Sequence, residues 1–138
     1  MKLFSSAQVV VASMLGGPLA GSFLMSRNMR TWKNPESANR TTLLGLGFTL
    51  LLLLIGSMLP PQIPSEGVAI GGVYAMYAWY KTSMRTRYEM NINNGASRAP
   101  WSIAIAVGLI GLLCVSAVVV ITVLVVDYAG DKPMNIAL

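Results

Sequence analysis

Hydrophobic positions fall in four long runs separated by short polar, mostly basic segments. Residues 3–26, 41–65, 67–80 and 99–126 contain no Asp, Glu, Lys or Arg. A bilayer-crossing helix needs about 20 apolar residues to cover a hydrocarbon core of about 30 Å. The pattern therefore predicts spans at about 7–25, 41–59, 67–84 and 101–126. The first opens on Ser5-Ser6-Ala7-Gln8, where Ser5 and Gln8 have capping-box spacing. Pro18, inside Ser13–Gly21, removes an amide and predicts a kink. The second follows a polar loop, with Thr41 or Thr42 as N-cap, carries Leu50–Leu54, and ends at Pro60-Pro61 with Pro64 closing a turn. The fourth lies between Pro100 and Asp127. At about 39 Å it exceeds the hydrocarbon core and must tilt, bend or protrude.

The third run is short, with only Gly67–Tyr80 between Glu66 and Lys81. Topology assigns it. Eight of the ten basic residues lie in two loops: Arg27, Arg30, Lys33 and Arg40, then Lys81, Arg85, Arg87 and Arg98. The positive-inside rule places both loops in the cytoplasm, so the chain must cross back between them. Lys81 then snorkels, and Tyr80, Met84, Tyr88 and Ile92 continue one apolar face into the cytoplasm until Gly95 stops the helix. The expected fold is all-α: a single domain over 1–138, a four-transmembrane-helix bundle with its third helix extended into the cytoplasm. Both ends, near Lys2 and Asn135, are expected on the periplasmic or extracellular side of a bacterial inner membrane. The first run is read as a retained helix. It has no Ala-x-Ala-like cleavage site, and Ser22 stands where a lipoprotein box would need cysteine.

Composition narrows the chemistry. Of 138 residues, 54% are hydrophobic and 11% charged, with a mean hydropathy of +0.62. A soluble domain carries about 25% charged residues, so a water-soluble globule is excluded. Histidine is absent and Cys114 is the single cysteine, which leaves no expected cofactor, metal site or catalytic residue. The net charge of +5 resides in membrane loops, where orientation explains it without nucleic acid. Apart from the snorkelling Lys81, no Asp, Glu, Lys or Arg falls inside a span, which argues against a membrane enzyme and a proton-coupled exporter. The acids nearest the membrane, Glu66 and Asp127, read either as outer pore-mouth acids or as ordinary helix-end residues.

Small residues repeat at a spacing of four. Ala12, Gly16 and Ala20 form one stripe on the first helix, and Ser13, Gly17 and Gly21 form another beside it. Gly67, Gly71 and Ala75 repeat the pattern in the third helix, and Ala104 and Gly108 in the fourth. Such stripes let helix backbones approach closely in lipid. Two on one helix exceed the needs of one neighbour. Tyr74, Tyr77, Trp79 and Tyr80 make the third helix aromatic, as an interfacial belt or a tyrosine-lined cavity.

Gly17-Pro18-Leu19-Ala20-Gly21 followed by Arg27-Asn28-Met29-Arg30, then Asn94-Gly95-Ala96-Ser97-Arg98-Ala99-Pro100-Trp101, resembles an uncharacterised group of small bacterial four-helix membrane proteins. In that group a Gly-x-Pro-Leu-Ala-Gly helix leads into Arg-Asn-Tyr-Arg, and a Gly-Gly-Arg-x-x-Ser-Trp loop enters the last helix. Met29 here replaces the Tyr and Pro100 the Ser, and the middle of the chain is unmatched. The resemblance implies the four-helix topology and no activity.

The expected function is a non-enzymatic membrane protein acting by helix–helix interaction, as an accessory subunit or an immunity-type protein. Its partners would be the bilayer and either its own copies or another membrane protein, with no small-molecule substrate identified. The alternative is an oligomeric channel or small-solute carrier.

Overall fold

The computed structural model describes residues 1–60, 62 and 66–130. Pro61, Pro64, Lys132 and Asn135 lie outside them. Among the described residues the protein is all-helical apart from two short strands: β1 (Lys2–Leu3), α1 (Ser6–Thr31), α2 (Pro35–Met58), α3 (Glu66–Ser83), α4 (Arg85–Asn93), β2 (Ser97–Arg98) and α5 (Trp101–Gly130). Three helices, α1, α2 and α5, are long and apolar enough to cross a membrane.

The expected capping box opens α1. The Ser5 side chain accepts from the Gln8 amide, and the Gln8 side chain accepts from the Ser5 amide at 2.9 Å. The kink expected at Pro18 is much larger than a kink. A straight helix rising 1.5 Å per residue would hold residues 4 and 28 about 36 Å apart. Instead the Phe4 amide donates to Asn28 Oδ1 at 2.8 Å, and Asn28 Nδ2 donates to the Phe4 carbonyl at 2.8 Å. The reversal occurs where Gly16 (φ −119°, ψ 17°) and Gly17 (φ 71°, ψ −175°) leave helical geometry. Only glycine adopts the Gly17 conformation without strain. α1 is thus a hairpin whose first arm (6–15) and second arm (18–31) run back to back.

This corrects the expectation of one kinked span: the chain folds back on itself here, which sets the N-terminus beside a basic loop rather than opposite it. β1 pairs in parallel with β2, Lys2 beside Ser97 and Leu3 beside Arg98, so the N-terminus shares one end of the molecule with the loop around Arg98. An apolar run of this length satisfies the composition of a span whether it is straight or folded, and Gly-Gly-Pro made it fold.

Two further boundaries differ. α2 begins six residues before Thr41, because Asn34 caps it by accepting from the Ser37 amide at 3.2 Å and Pro35 fits the first turn. Thr41 and Thr42 are therefore interior residues, and the Thr42 hydroxyl donates to the Ala38 carbonyl. The cytoplasmic extension expected of the third helix is a separate helix, α4, set off at Met84, where φ is −129°. Tyr80 and Tyr88 still meet edge-to-face across that break, with ring centroids 6.3 Å apart. Gly95 ends the segment with φ 89°, the left-handed stop that glycine favours.

The hairpin is the hub. α2, α3 and α5 each pack on α1 far more than on one another. The core lies at the hairpin's open end, where Phe4, Val9, Leu24, Met25, Met76 and Tyr80 are buried together.

Candidate functional site

The hairpin tip is built from Gly16, Gly17 and Pro18, and each neighbouring helix meets it at a small or hydroxylated residue. Against α5 the approach is backbone to backbone. A β-carbon on Gly16 would collide with the Gly108 carbonyl and lie 2.9 Å from Gly111 Cα. One on Gly111 would lie 2.9 Å from the Gly16 carbonyl, and one on Gly108 would lie 2.9 Å from Leu15 Cβ. Ala104, Gly108 and Gly111 are the buried stripe of α5, and burial fades beyond half-buried Val115. Against α2 the contact is Gly45, where a β-carbon would overlap the Ser22 side chain. Against α3 it is Gly72, where a β-carbon would lie 2.6 Å from Leu52 of α2 and 3.9 Å from Pro18.

Breaking a helix frees backbone groups that apolar surroundings cannot satisfy. One of them has a clear partner. The Leu19 amide donates to Thr49 Oγ1 at 2.9 Å, while the Thr49 hydroxyl donates to the Gly45 carbonyl at 2.9 Å. A second set of bonds locks the open end. Besides the paired bonds of Asn28, the Tyr80 hydroxyl donates to the Phe4 carbonyl at 3.0 Å, and Gln8 Nε2 donates to the Ala99 carbonyl at 2.7 Å. These buried polar groups tie β1, both arms of α1, α3 and the entry to α5 into one unit.

The doubled stripe on the first helix thereby divides. Ala12, Gly16 and Ala20 face α5. Ser13 and Gly21 face each other across the hairpin, where a β-carbon on Gly21 would collide with the Ser13 hydroxyl. A β-carbon on Gly17 would meet nothing within 4 Å, and Gly17 serves the turn itself. Gly67 and Gly71 also face open space, while Ala75 is half-buried. Glu66 is the first residue of α3, and Asp127 is exposed near the end of α5. Reasoning from sequence left out Asn28, Gly45, Gly72 and Gly111. The spacing Ala104, Gly108, Gly111 carried a signal for the last of these, a helical stripe continuing at i+7.

Above the tip, α2, α3 and α5 continue without the hairpin between them and flank a half-open cavity of about 640 Å³. Its floor includes Gly16, Gly17 and Pro18, and its walls include Leu52, Val73 and Val115. The hydroxyls there are engaged: Ser13 donates to the Val9 carbonyl, Thr49 to Gly45 and Ser57 to Leu54. Among the described residues no cluster of three His, Cys, Asp or Glu side chains exists to hold a metal, and Cys114 is free and exposed.

No protein-family model, curated protein or solved structure matches this chain. Its function must be read from its own geometry.

Proposed function

We propose that the protein is a non-enzymatic integral membrane protein that acts by taking a partner helix into the open outer half of its bundle. The bundle consists of three spans, α2, α3 and α5, around α1 as a re-entrant hairpin. The nine basic residues among the described residues lie at or beside the open end of the hairpin. The positive-inside rule puts that end in the cytoplasm, with the N-terminus inside and the C-terminal end of α5 outside.

One observation carries the interaction reading. Above the hairpin tip the three helices barely pack on one another, and the cavity of about 640 Å³ between them has small residues, Gly16, Gly17, Gly56 and Ala69, at its surface. A helix seated there would gain dispersion contacts along the whole lining. Small-residue walls let a helix backbone approach closely. The partner is a second copy of this chain or another membrane protein. The test places the photocrosslinker p-benzoylphenylalanine at Val115. Adducts to a polypeptide are expected, and lipid adducts alone would overturn the reading.

The channel or carrier remains the second reading, favoured by one feature: a broken helix whose tip floors a cavity, as in solute-binding membrane folds. The plugged core below the tip and the engaged hydroxyls oppose it. Purified protein in planar bilayers is expected to conduct nothing above the bare membrane. A unitary current whose ion selectivity changes with Glu66→Gln or Asp127→Asn would establish the channel instead.

A further inference from the structure

Two concavities meet on the face opposite the α5 contact, sharing Ser6 and Tyr77 as common walls. The first, about 600 Å³, lies at the basic end between α3, α4 and Arg98. Three cations line it, Lys81, Arg85 and Arg98, against one acid, Glu89. Glu89 is taken by Arg85, with Nε 2.7 Å from its carboxylate, and this hydrogen bond raises the Arg85 pKa further. Lys81 and Arg98 have no acidic partner among the described residues. The wall also holds Tyr88, whose hydroxyl is shielded from solvent and has no hydrogen-bond partner. Two unpaired cations beside an unsatisfied hydroxyl donor ask for an anion with several acceptor oxygens.

The second concavity, about 590 Å³, continues from Ser6 and Tyr77 between the first arm of α1 and α3. Val10, Met14, Ile70 and Val73 line it, with Tyr74 at its edge. From Ser6 to Met14 the groove follows about 12 Å of helix toward the hairpin tip. It offers an apolar track leading away from the cationic pocket.

We propose that this composite groove binds one anionic phospholipid, with its phosphate headgroup held by Lys81, Arg98 and Tyr88 and an acyl chain lying along Val10 and Val73. Continuity of the two parts selects the occupant. A free phosphate would leave the apolar groove unused, and a zwitterionic lipid would add a cation beside two unpaired ones. The basic end also lies where the positive-inside rule puts the anionic inner leaflet. The proposal rests on the membrane orientation given above and not on the partner-helix reading, so crosslinking at Val115 and lipid binding fail independently.

The test titrates the delipidated full-length protein in detergent with dioleoylphosphatidylglycerol, dioleoylphosphatidylcholine or inorganic phosphate. Its readouts are the thermal melt and the lipid count by native mass spectrometry. Phosphatidylglycerol is expected to raise the melt saturably with one tightly held lipid, and the other two are not. Lys81→Gln combined with Arg98→Gln should weaken that binding by about tenfold or more. Val10→Trp, which fills the apolar track without touching a charge or the cavity above the hairpin tip, should weaken it as well. Lys81→Arg should retain it. Equal binding of both lipids, or binding unchanged in the charge-removing double variant, would overturn the site. Saturable binding of inorganic phosphate as tight as that of phosphatidylglycerol would replace the lipid by a free anion and overturn the proposal as stated. Should the double variant fail to fold, the comparison of the three ligands on the unmodified protein decides by itself.

Discussion

The two halves of this bundle are built on opposite principles. In the basic half, α1 is present twice, once in each direction, and every neighbouring helix is sealed to it through glycine, serine or threonine. Buried Asn28, Gln8 and Tyr80 each hold a backbone group of another segment. In the other half the hairpin is missing, burial fades along α5 after Val115, and residues from Leu112 to Tyr128 other than Val115 are exposed. The difference shows where a membrane protein of this size gets its unique structure. Lipid is as apolar as leucine, so the leucine- and valine-rich half gains little specificity from its side chains. Close backbone contacts and satisfied polar groups supply it instead.

Substitutions that attack the sealed half should have the largest effects. Gly16→Leu drives a side chain into the Gly108 carbonyl and Gly111. Gly17→Leu forces a branched residue into a conformation reserved for glycine. Overpacking and backbone strain each cost about 1–3 kcal/mol, so either variant should lower the melt sharply, and the pair should fail to fold. Asn28→Leu comes next. It leaves the buried Phe4 amide without its acceptor, while the Phe4 carbonyl keeps the Tyr80 hydroxyl, and at roughly 1–3 kcal/mol it should destabilise the protein even though leucine suits lipid better. Thr49→Val removes a single interhelical acceptor and should cost about 1–2 kcal/mol in the same melt. Val120→Ala, on the exposed stretch of α5, should shift the melt by less than about 0.5 kcal/mol. A Val120→Ala effect comparable to that of Asn28→Leu would erase the contrast between the halves.

Much of this was legible beforehand, and the illegible part has a physical cause. The capping box, the Pro18 break, the Gly95 stop and the small stripes are local patterns, and local chemistry decides them. A reversal is not local. Gly16-Gly17-Pro18 reads equally as a kink or a turn, because the flanking residues are apolar in both cases. What separates the two is pairing across 24 residues, Phe4 with Asn28, which no periodicity reports. The surplus stripe did carry a trace of it. Two small faces on one helix exceed one neighbour's needs because the helix packs on itself through Ser13 and Gly21. The candidate site divided the same way. Gly16, Ala20 and Gly108 lie in the contact between α1 and α5, whereas Gly67 and Gly71 face open space.

The central claim is that α1 enters and returns, and side-specific cysteine labelling tests it most directly. In a Cys114→Ala background, Lys2→Cys, Ser37→Cys and Asp127→Cys are each exposed to a membrane-impermeant maleimide in intact and in permeabilised cells. Lys2 and Asp127 are exposed, and Ser37 is half-buried in the first turn of α2. A hairpin requires Lys2 and Ser37 to behave alike, both protected until the cells are opened, while Asp127 reacts from outside. Labelling of Lys2 in intact cells with Ser37 still protected would mean that α1 crosses as a straight span, and the account would be wrong.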